Sequence, residues 1–469
     1  MFRDTPNDDV HRRSRWRRLR RAAARATGPL LRSLASELEV APPALAVLLA
    51  EALATRVPPD GDAIDTIVDA LDHGVAGYLD ATLHDPRFAA LEGTWRALAY
   101  LVDRVELREN IRLEILQASF AVVAADLDRD VPIEETALYH RLYSPSGHEP
   151  YGLVIGLYRH GGDEASIDRL ERIGEIARRA QLSYLSDAAP SMFGLEGDSL
   201  EGLLDRVLAR SKHTIAGGKV RYAYEDENPR WVAFRETEVG RHVALSEARF
   251  RVRAPYDLCS DGLCYRETVE GHGEGPAWGS SMVLLAAKIA EAFARERIGL
   301  HFTKEHGGYS VAYIAGLPDH VAGARDPEQR LLWRKESDVW YGLGEHYCRE
   351  QGFVAWVDLR EHALFYSATT CGRSRFFENT PEGKARETSD RLSTLLPYQL
   401  VIQRVAQVLK VVRIQCLGDV HEAETLRGRL SERLAEHVGP EEDAAVAQRP
   451  LLEAALTLDP RREGTAASG

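Results

Sequence analysis

DPRFAALEGTWRALAYLV, residues 85–102, is the stretch that decides how the fold of this chain is interpreted. Asp85 is a good helix N-cap, and Pro86 suits the first helical turn, where its missing N–H costs nothing. Apolar residues then recur at spacings of three and four, which places them on one helical face. They are Phe88, Leu91, Trp95, Leu98 and Val102. The pattern by itself predicts an amphipathic helix docked on a core.

Composition and charge limit the class of protein. The chain has 469 residues with 44% hydrophobic and 28% charged residues, which is typical of soluble globular proteins of two or three domains. No apolar run approaches the roughly 20 residues that span a bilayer, so we predict no membrane insertion. The cysteines are odd in number and scattered, which favours a reducing cytoplasm over a disulfide framework; they are Cys259, Cys264, Cys348, Cys371 and Cys416.

The N-terminal extension is strongly basic although the net charge is −13. Residues 11–32 hold nine arginines and no acid. The basic arm includes Arg12, Arg13, Arg17, Arg18, Arg20 and Arg21. A solvated helical or disordered tail is the simplest interpretation, docking on an acidic partner surface the second, and nucleic-acid or membrane contact the third. The remainder of the chain is acidic, which argues against a nucleic-acid-binding globule.

Local patterns beyond residue 61 alternate between strands and helices and indicate an α/β or mixed α+β fold without internal repeats. We expect strands at 111–116 and 153–157, a helix within 163–182, and a helix from Trp278 that ends at Gly299. Residues 354–357 and 363–366 favour a hairpin. Residues 386–412 predict a helix bent at Pro397.

Motifs that carry chemistry are absent from the sequence. The glycine-rich segment 271–275 has no Lys-Ser/Thr pair, so it fails as a phosphate loop. No spacing of His, Cys, Asp or Glu matches a metal site, and Cys371 is best interpreted as an incidental cysteine. We therefore predict no catalytic residue, no cofactor and no metal. Four tryptophans in apolar surroundings are expected to belong to the core, namely Trp95, Trp231, Trp278 and Trp356.

Further segments, taken with residues 85–102, resemble one known family in the same order. They are Glu149 to Gly156 (EPYGLVIG), Ala188 to Leu195 (AAPSMFGL), Trp231 to Glu236 (WVAFRE), Arg249 to Tyr256 (RFRVRAPY), Trp278-Gly279, Gly316-Leu317-Pro318, and Leu392-Ser393 with Leu396-Pro397-Tyr398. The chain resembles the large subunit of the type VI secretion contractile sheath (the TssC/VipB family) over roughly residues 62 to 435.

The resemblance implies a structural role without catalysis. A large subunit of this family has a mixed sheet flanked by helices and pairs with a small sheath subunit (TssB/VipA-like). Copies of the pair then polymerise in the cytoplasm around an inner tube protein (Hcp-like) and power effector injection. A ClpV-type ATPase recycles the contracted form. The competing hypothesis is an uncharacterised cytoplasmic α/β enzyme.

The resemblance also suggests boundaries and contacts. We expect an extension at residues 1–61, a body at 62–438 and a C-terminal linker and tail at 439–469. A strand at 450–459 is the candidate link between protomers, through Leu451, Leu456 and Leu458. A second group is assigned to the core or, as the alternative, to the small-subunit contact: Leu396, Ile402, Val405 and Leu409.

Several positions depart from the family pattern. Leu157 stands where an acidic residue is expected, and Ala248 stands where proline usually precedes Arg249. The basic arm is atypical, and family members usually continue with a further β segment after the 450–459 strand. These differences suggest a diverged paralogue that caps a sheath or regulates its assembly, as an alternative to a standard sheath subunit.

Overall fold

A computed structural model describes most of the chain beyond residue 60. The described residues are 61–143, 150–197, 200, 202–216, 219–224, 228–260, 263–268, 277–297, 299–318, 343–359, 362–375, 377–416, 423–435 and 438. None of the helices in these ranges combines the length and the apolar character that crossing a bilayer requires.

Helices and strands alternate through these ranges, so the predicted α/β class is confirmed. The helices are α1 Gly61–Leu83, α2 Pro86–Arg104, α3 Phe120–Leu127, α4 Ala137–Leu142, α5 Glu164–Ala180, α6 Leu203–Arg210, α7 Pro229–Arg235, α8 Ser281–Glu296, α9 Lys304–Gly307, α10 Tyr309–Ala312, α11 Leu343–Gln351, α12 Pro381–Leu392, α13 Leu396–Cys416 and α14 Ala423–Ala435. The strands are β1 Leu153–His160, β2 Ser183–Ala188, β3 Ser211–Ala216, β4 Lys219–Tyr224, β5 Val243–Ser246, β6 Phe250–Arg251, β7 Asp257–Ser260, β8 Leu263–Arg266, β9 Trp278–Gly279, β10 Tyr313–Ile314, β11 Phe353–Val354, β12 Trp356–Leu359 and β13 His362–Phe365.

The chain divides into two compact units. The first comprises Met1–Ala89 with Arg253–Ala277, and the second comprises Ala90–Val252 with Trp278–Gly469. In the first unit, α1 contacts β8 of the antiparallel β7–β8 hairpin. The hydroxyl of Tyr265 donates to Asp80, 2.6 Å away, and the buried carboxylate of Glu267 accepts from the guanidinium of Arg253 and from the backbone N–H of Tyr256. These bonds fix the hairpin on the helix.

The second unit is organised around a four-stranded parallel sheet in the order β1-β2-β5-β11. Parallel neighbours require a crossover connection, and α5 provides it between β1 and β2. A three-stranded antiparallel sheet in the order β10-β13-β12 lies in the same unit. Its β12–β13 hairpin confirms the one predicted from residues 354–366.

Two apolar clusters lie on opposite faces of the parallel sheet because alternate strand residues point to opposite sides. On one face, Tyr184 and Val243 pack with the apolar residues of α5. On the other face, Leu185 and Ala244 pack with α8. The sheet is therefore covered on both sides, as parallel sheets usually are.

The predicted helix within residues 163–182 is confirmed, and its ends have local causes. The side chain of Asp163 accepts from the N–H of Ser166 and so caps the start of α5. Gln181 follows the last turn in the left-handed conformation, with φ of 56°. A residue in this conformation cannot continue the helix, so α5 stops at Ala180.

Two predicted helix boundaries are wrong. Trp278 does not begin a helix, because it pairs with Arg251 in the short β9–β6 ladder, and α8 starts after the capping residue Ser280. The helix ends before Gly299, because Arg297 already adopts the left-handed conformation. The bent helix expected over 386–412 is two helices, α12 and α13, and Pro397 lies in the first turn of α13, where it is tolerated.

Candidate assembly surfaces

Helix α2 presents an apolar stripe to solvent within the second unit. Leu91, Trp95 and Val102 are exposed, with Trp95 59% accessible. The buried face of the same helix consists of Gly93, Ala97 and Leu101. The capping prediction at Asp85 is confirmed, because its carboxylate accepts from the N–H groups that begin the helix. The large apolar residues that predict the helix are therefore on its outer side.

A close backbone approach explains this orientation. A Cβ atom at Gly93 would lie 2.2 Å from the carbonyl oxygen of Trp278, so only glycine permits the observed packing. The helix docks through its small residues, and Trp95 points away. The prediction that Trp95 belongs to the core is wrong, whereas Trp231, Trp278 and Trp356 are buried.

Residues 111–119 form neither helix nor strand, so the predicted strand at 111–116 is wrong for the chain alone. Leu113, Ile115 and Leu116 are exposed, Ile115 to 62%. The segment is held at its ends, because Ile111 packs in the cluster around α8 and Ala118 in the cluster around α5. Alternation alone predicts a strand, but a strand also requires a neighbour to pair with.

Helix α13 buries a row of glutamines. Gln399, Gln403 and Gln407 recur every four residues and are almost inaccessible. The side-chain oxygen of Gln403 accepts from the hydroxyl of Ser183 at 2.8 Å. The amide of Gln407 donates to the carbonyl oxygens of Tyr151 and Gln181, each at 2.7 Å. The helix is thus fixed by hydrogen bonds across the amino ends of β1 and β2.

The predicted contact residues of α13 occupy different environments. Leu396 is fully buried among the residues around α8. Ile402 is 49% exposed, whereas Val405 and Leu409 are half-buried. Helix α14 packs against α13 and contributes two buried leucines, Leu430 and Leu434. A role of Ile402, Val405 and Leu409 in binding a small subunit stays a prediction.

The remaining predicted contact residues lie outside the described residues. They are Leu451, Leu456 and Leu458 of the C-terminal strand and Arg12, Arg13, Arg17, Arg18, Arg20 and Arg21 of the basic arm. The glycine-rich segment 271–275 also lies outside the description.

The carboxyl ends of the parallel strands are the usual place for a ligand in an open α/β sheet. Here that edge is filled by the protein's own buried charged and polar groups. They are His160 at the end of β1, Asp187 in β2, Glu247 after β5 and Arg251 in β6. The guanidinium of Arg251 also lies over the indole of Trp278, 4.8 Å from its centroid. All four side chains are almost inaccessible to solvent, with exposures of 0–4%.

Burial shifts the pKa of His160, at this edge, and that of Cys371, whose backbone N–H donates to the carbonyl of Val243 at the start of β5. The Nε2 atom of His160 lies 3.1 Å from the hydroxyl of Tyr184, and burial lowers the pKa of His160 to about 4. Burial also raises the pKa of the Cys371 thiol to about 12, so the nucleophilic thiolate is scarce at neutral pH. In the described part of the chain, no group of three or more His, Cys, Asp or Glu residues is arranged to hold a metal ion.

Two of these features, the glutamine row of α13 and the small-residue face of α2, have signals in the sequence. The glutamines of α13 repeat at i, i+4 and i+8, as residues on one helical face do. The small residues Gly93 and Ala97 repeat at the same interval, which is the signature of a close helix approach. In α2 the large apolar residues lie on the exposed face, whereas in α13 Leu396 is buried and Ile402 is exposed.

Comparisons with known proteins cover most of the chain. A family model described as EvpB/VC_A0108, tail sheath N-terminal domain, matches residues 65–372. A second model, described as EvpB/VC_A0108, tail sheath gpW/gp25-like domain, matches residues 385–466. The chain is also 23% identical over 414 residues to the type VI secretion system sheath protein TssC1 of Pseudomonas aeruginosa, with 84% of this chain and 79% of that protein covered.

Proposed function

Because this chain belongs to the EvpB/VC_A0108 tail sheath family, that of the type VI secretion sheath large subunits (TssC/VipB), we propose that it pairs with a small sheath subunit and polymerises helically. The polymer surrounds an Hcp-like inner tube in the cytoplasm, and its contraction powers effector injection. A ClpV-type ATPase recycles it. Head-to-tail contacts that do not close on themselves produce such open filaments.

The observation that carries the proposal is the apolar surface of the second unit. Large apolar side chains are exposed on α2, along residues 111–117 and on α13. Trp95, Ile115 and Ile402 represent the three places. A monomer that works alone in water rarely exposes so many large apolar groups, whereas a subunit of an assembly covers them with its neighbours.

The closed carboxyl edge of the sheet supports a structural role over an enzymatic one. An α/β enzyme needs an open crevice there for its substrate. In the described ranges that position is taken by buried side chains, Glu247 and Arg251 among them. We infer that the chain acts without catalysis, cofactor or metal.

We propose the same division of the chain as its sequence suggests. Residues 1–61 form an extension, 62–438 the body and 439–469 a linker and tail. The basic arm docks on an acidic surface of a sheath or tube partner, through charge complementarity. Leu451, Leu456 and Leu458 link neighbouring protomers by strand addition, which supplies backbone hydrogen bonds between chains. Truncation after Arg449 tests this link, because unchanged filament growth would contradict it.

Co-expression with a small sheath subunit, followed by purification and negative-stain electron microscopy, tests the function. We expect a stable complex of the two chains and long tubes. A complex that never extends into tubes would instead support the capping or regulatory paralogue that Leu157 and Ala248 suggested. A chain that stays solitary with every small subunit of its source organism would overturn the proposal.

A further inference from the structure

The segment 111–117 has the sequence of a strand, but no strand pairs with it among the residues that the structure describes. Ile111, Leu113 and Ile115 alternate with Arg112 and Glu114. Among the described residues, the backbone groups of Leu113, Ile115, Leu116 and Gln117 form no hydrogen bond with another backbone group. Nearly all such groups in folded proteins are paired unless water reaches them. The exposure of this segment lets water satisfy them in the free chain.

The segment passes beside the open edge of the parallel sheet. Strand β1 is the first strand of the β1-β2-β5-β11 order, so its outer side has no neighbouring strand within the described residues. Side chains hold the segment near this edge: the hydroxyl of Tyr158 donates to the carbonyl of Ala118 at 2.8 Å, and the hydroxyl of Tyr151 donates to Glu114. The segment is therefore attached through tyrosine side chains, and the backbone groups of Leu113, Ile115, Leu116 and Gln117 remain available.

The exposed side chains indicate that a second strand pairs with the segment. Leu113, Ile115 and Leu116 place three large apolar groups in water within four residues. A solvated loop has no physical reason to carry them, whereas a strand uses them in cross-strand pairs. Seven residues at the strand rise span about 23 Å, the length of an ordinary strand.

We propose that residues 111–117 become a β-strand when an extended segment of the small sheath subunit pairs with them. The partner strand supplies the missing backbone hydrogen bonds and places apolar residues at alternate positions against Leu113 and Ile115. This inference rests on the proposed function, and it assigns the pairing of the two subunits to residues that neither the basic arm nor the C-terminal strand contains.

A second copy of this chain is the less suitable occupant. Pairing 111–117 with itself in antiparallel register is two-fold symmetric, so each copy would use the same surface and the contact would close as a dimer. A register centred on Glu114 would also place two carboxylates opposite each other, which is unfavourable. Pairing of this segment with its own copy would therefore not extend an open helical polymer.

Amide hydrogen exchange on the full chain tests the inference. In the chain alone we expect the amides of residues 111–117 to exchange rapidly. In the complex with the small subunit we expect them to exchange at least about tenfold more slowly, because strand pairing protects them. Protection of this segment in the chain alone, rising with its concentration, would show that a second copy is the occupant and would overturn the proposal.

Matched variants separate strand pairing from general surface effects. Ile115→Asp is expected to reduce capture of the small subunit by at least about tenfold, since it places a charge in the apolar cross-strand contact. Ile115→Val keeps a β-branched apolar residue and is expected to retain capture. The control is Leu208→Asp on α6, where the leucine is also about half-exposed; we expect no loss.

Failure of this inference and failure of the proposed function give different results. If the unmodified chain captures no small subunit, the proposed function is wrong. If it captures the subunit while residues 111–117 stay unprotected and Ile115→Asp binds normally, only the assignment of this segment is wrong. Folding of each variant is checked by its denaturation midpoint, which an exposed substitution should leave unchanged.

Discussion

The carboxyl edge of the parallel sheet and the outer face of α2 reverse the usual distribution of polar and apolar groups. The first buries Asp187, Glu247 and Arg251, at a place where α/β enzymes admit a substrate. The second exposes Leu91 and Trp95, on a helix whose apolar pattern predicts burial. One place buries charged groups and the other exposes large apolar ones.

The largest expected effect distinguishes two tryptophans. Trp356 is fully buried and its indole N–H donates to the carbonyl of Ala248, so Trp356→Ala should lower the free energy of unfolding by roughly 3–5 kcal/mol. Trp95→Ala removes an exposed ring and should cost about 1 kcal/mol or less. Urea denaturation of both variants measures the difference. Equal losses would mean that Trp95 is covered within the chain itself.

Acid titration tests the closed carboxyl edge through His160. In the unfolded chain His160 binds a proton near pH 6.5, but in the folded chain only near pH 4. The unfolded state therefore binds more protons between these values, and stability falls as the pH decreases through the window. The loss reaches about 3 kcal/mol below pH 4.

The control for the acid titration is His160→Gln, which removes the titrating group. The variant should have a flatter dependence of unfolding free energy on pH between 6.5 and 4, measured by urea denaturation at several pH values. An unchanged slope would show that water reaches His160 and that this edge of the sheet is open.

Alanine substitutions at two glycines test why the apolar stripe of α2 faces outward. Gly93→Ala forces a Cβ against the backbone of Trp278, so it should destabilise the fold by about 1–3 kcal/mol. The matched control is Gly77→Ala in α1, where nothing lies within 4 Å of the added atom. That substitution should stabilise the chain by about 0.5–1 kcal/mol, because alanine favours a helix over glycine. Thermal melts of the two variants should shift in opposite directions.

Local signals predicted much of this architecture. The helix within 163–182, the strand at 153–157 and the β12–β13 hairpin depend on neighbouring residues, so the sequence alone was sufficient. The buried faces of α2 and α13 do not follow from the spacing of their apolar residues. They depend on the approach of Gly93 to Trp278 and on hydrogen bonds between Gln407 and two distant loops, which are contacts far apart in sequence.

The strand at 111–116 shows a different limit. Its apolar and polar residues alternate as in a strand, but a strand forms only when a second strand supplies its backbone hydrogen bonds. Among the described residues, the chain alone supplies residues 111–116 but no second strand that pairs with them. Where a predicted strand is absent and its apolar residues are exposed, the discrepancy itself points to an intermolecular contact.

The smallest expected effect on stability concerns Ile402, an exposed residue of α13 that is compared with the buried Leu396 of the same helix. Ile402→Ser removes a half-exposed side chain and should change the free energy of unfolding by only about 0.5 kcal/mol. Leu396→Ala, on the same helix, empties a fully buried site and should cost about 2–5 kcal/mol. If α13 contacts the small subunit, Ile402→Ser should still weaken co-purification several-fold while the fold remains intact. A pull-down at matched protein concentration measures how much small subunit the variant retains. Full retention of the small subunit would place this helix outside the contact and leave α2 and residues 111–117 as the apolar surfaces that assembly covers.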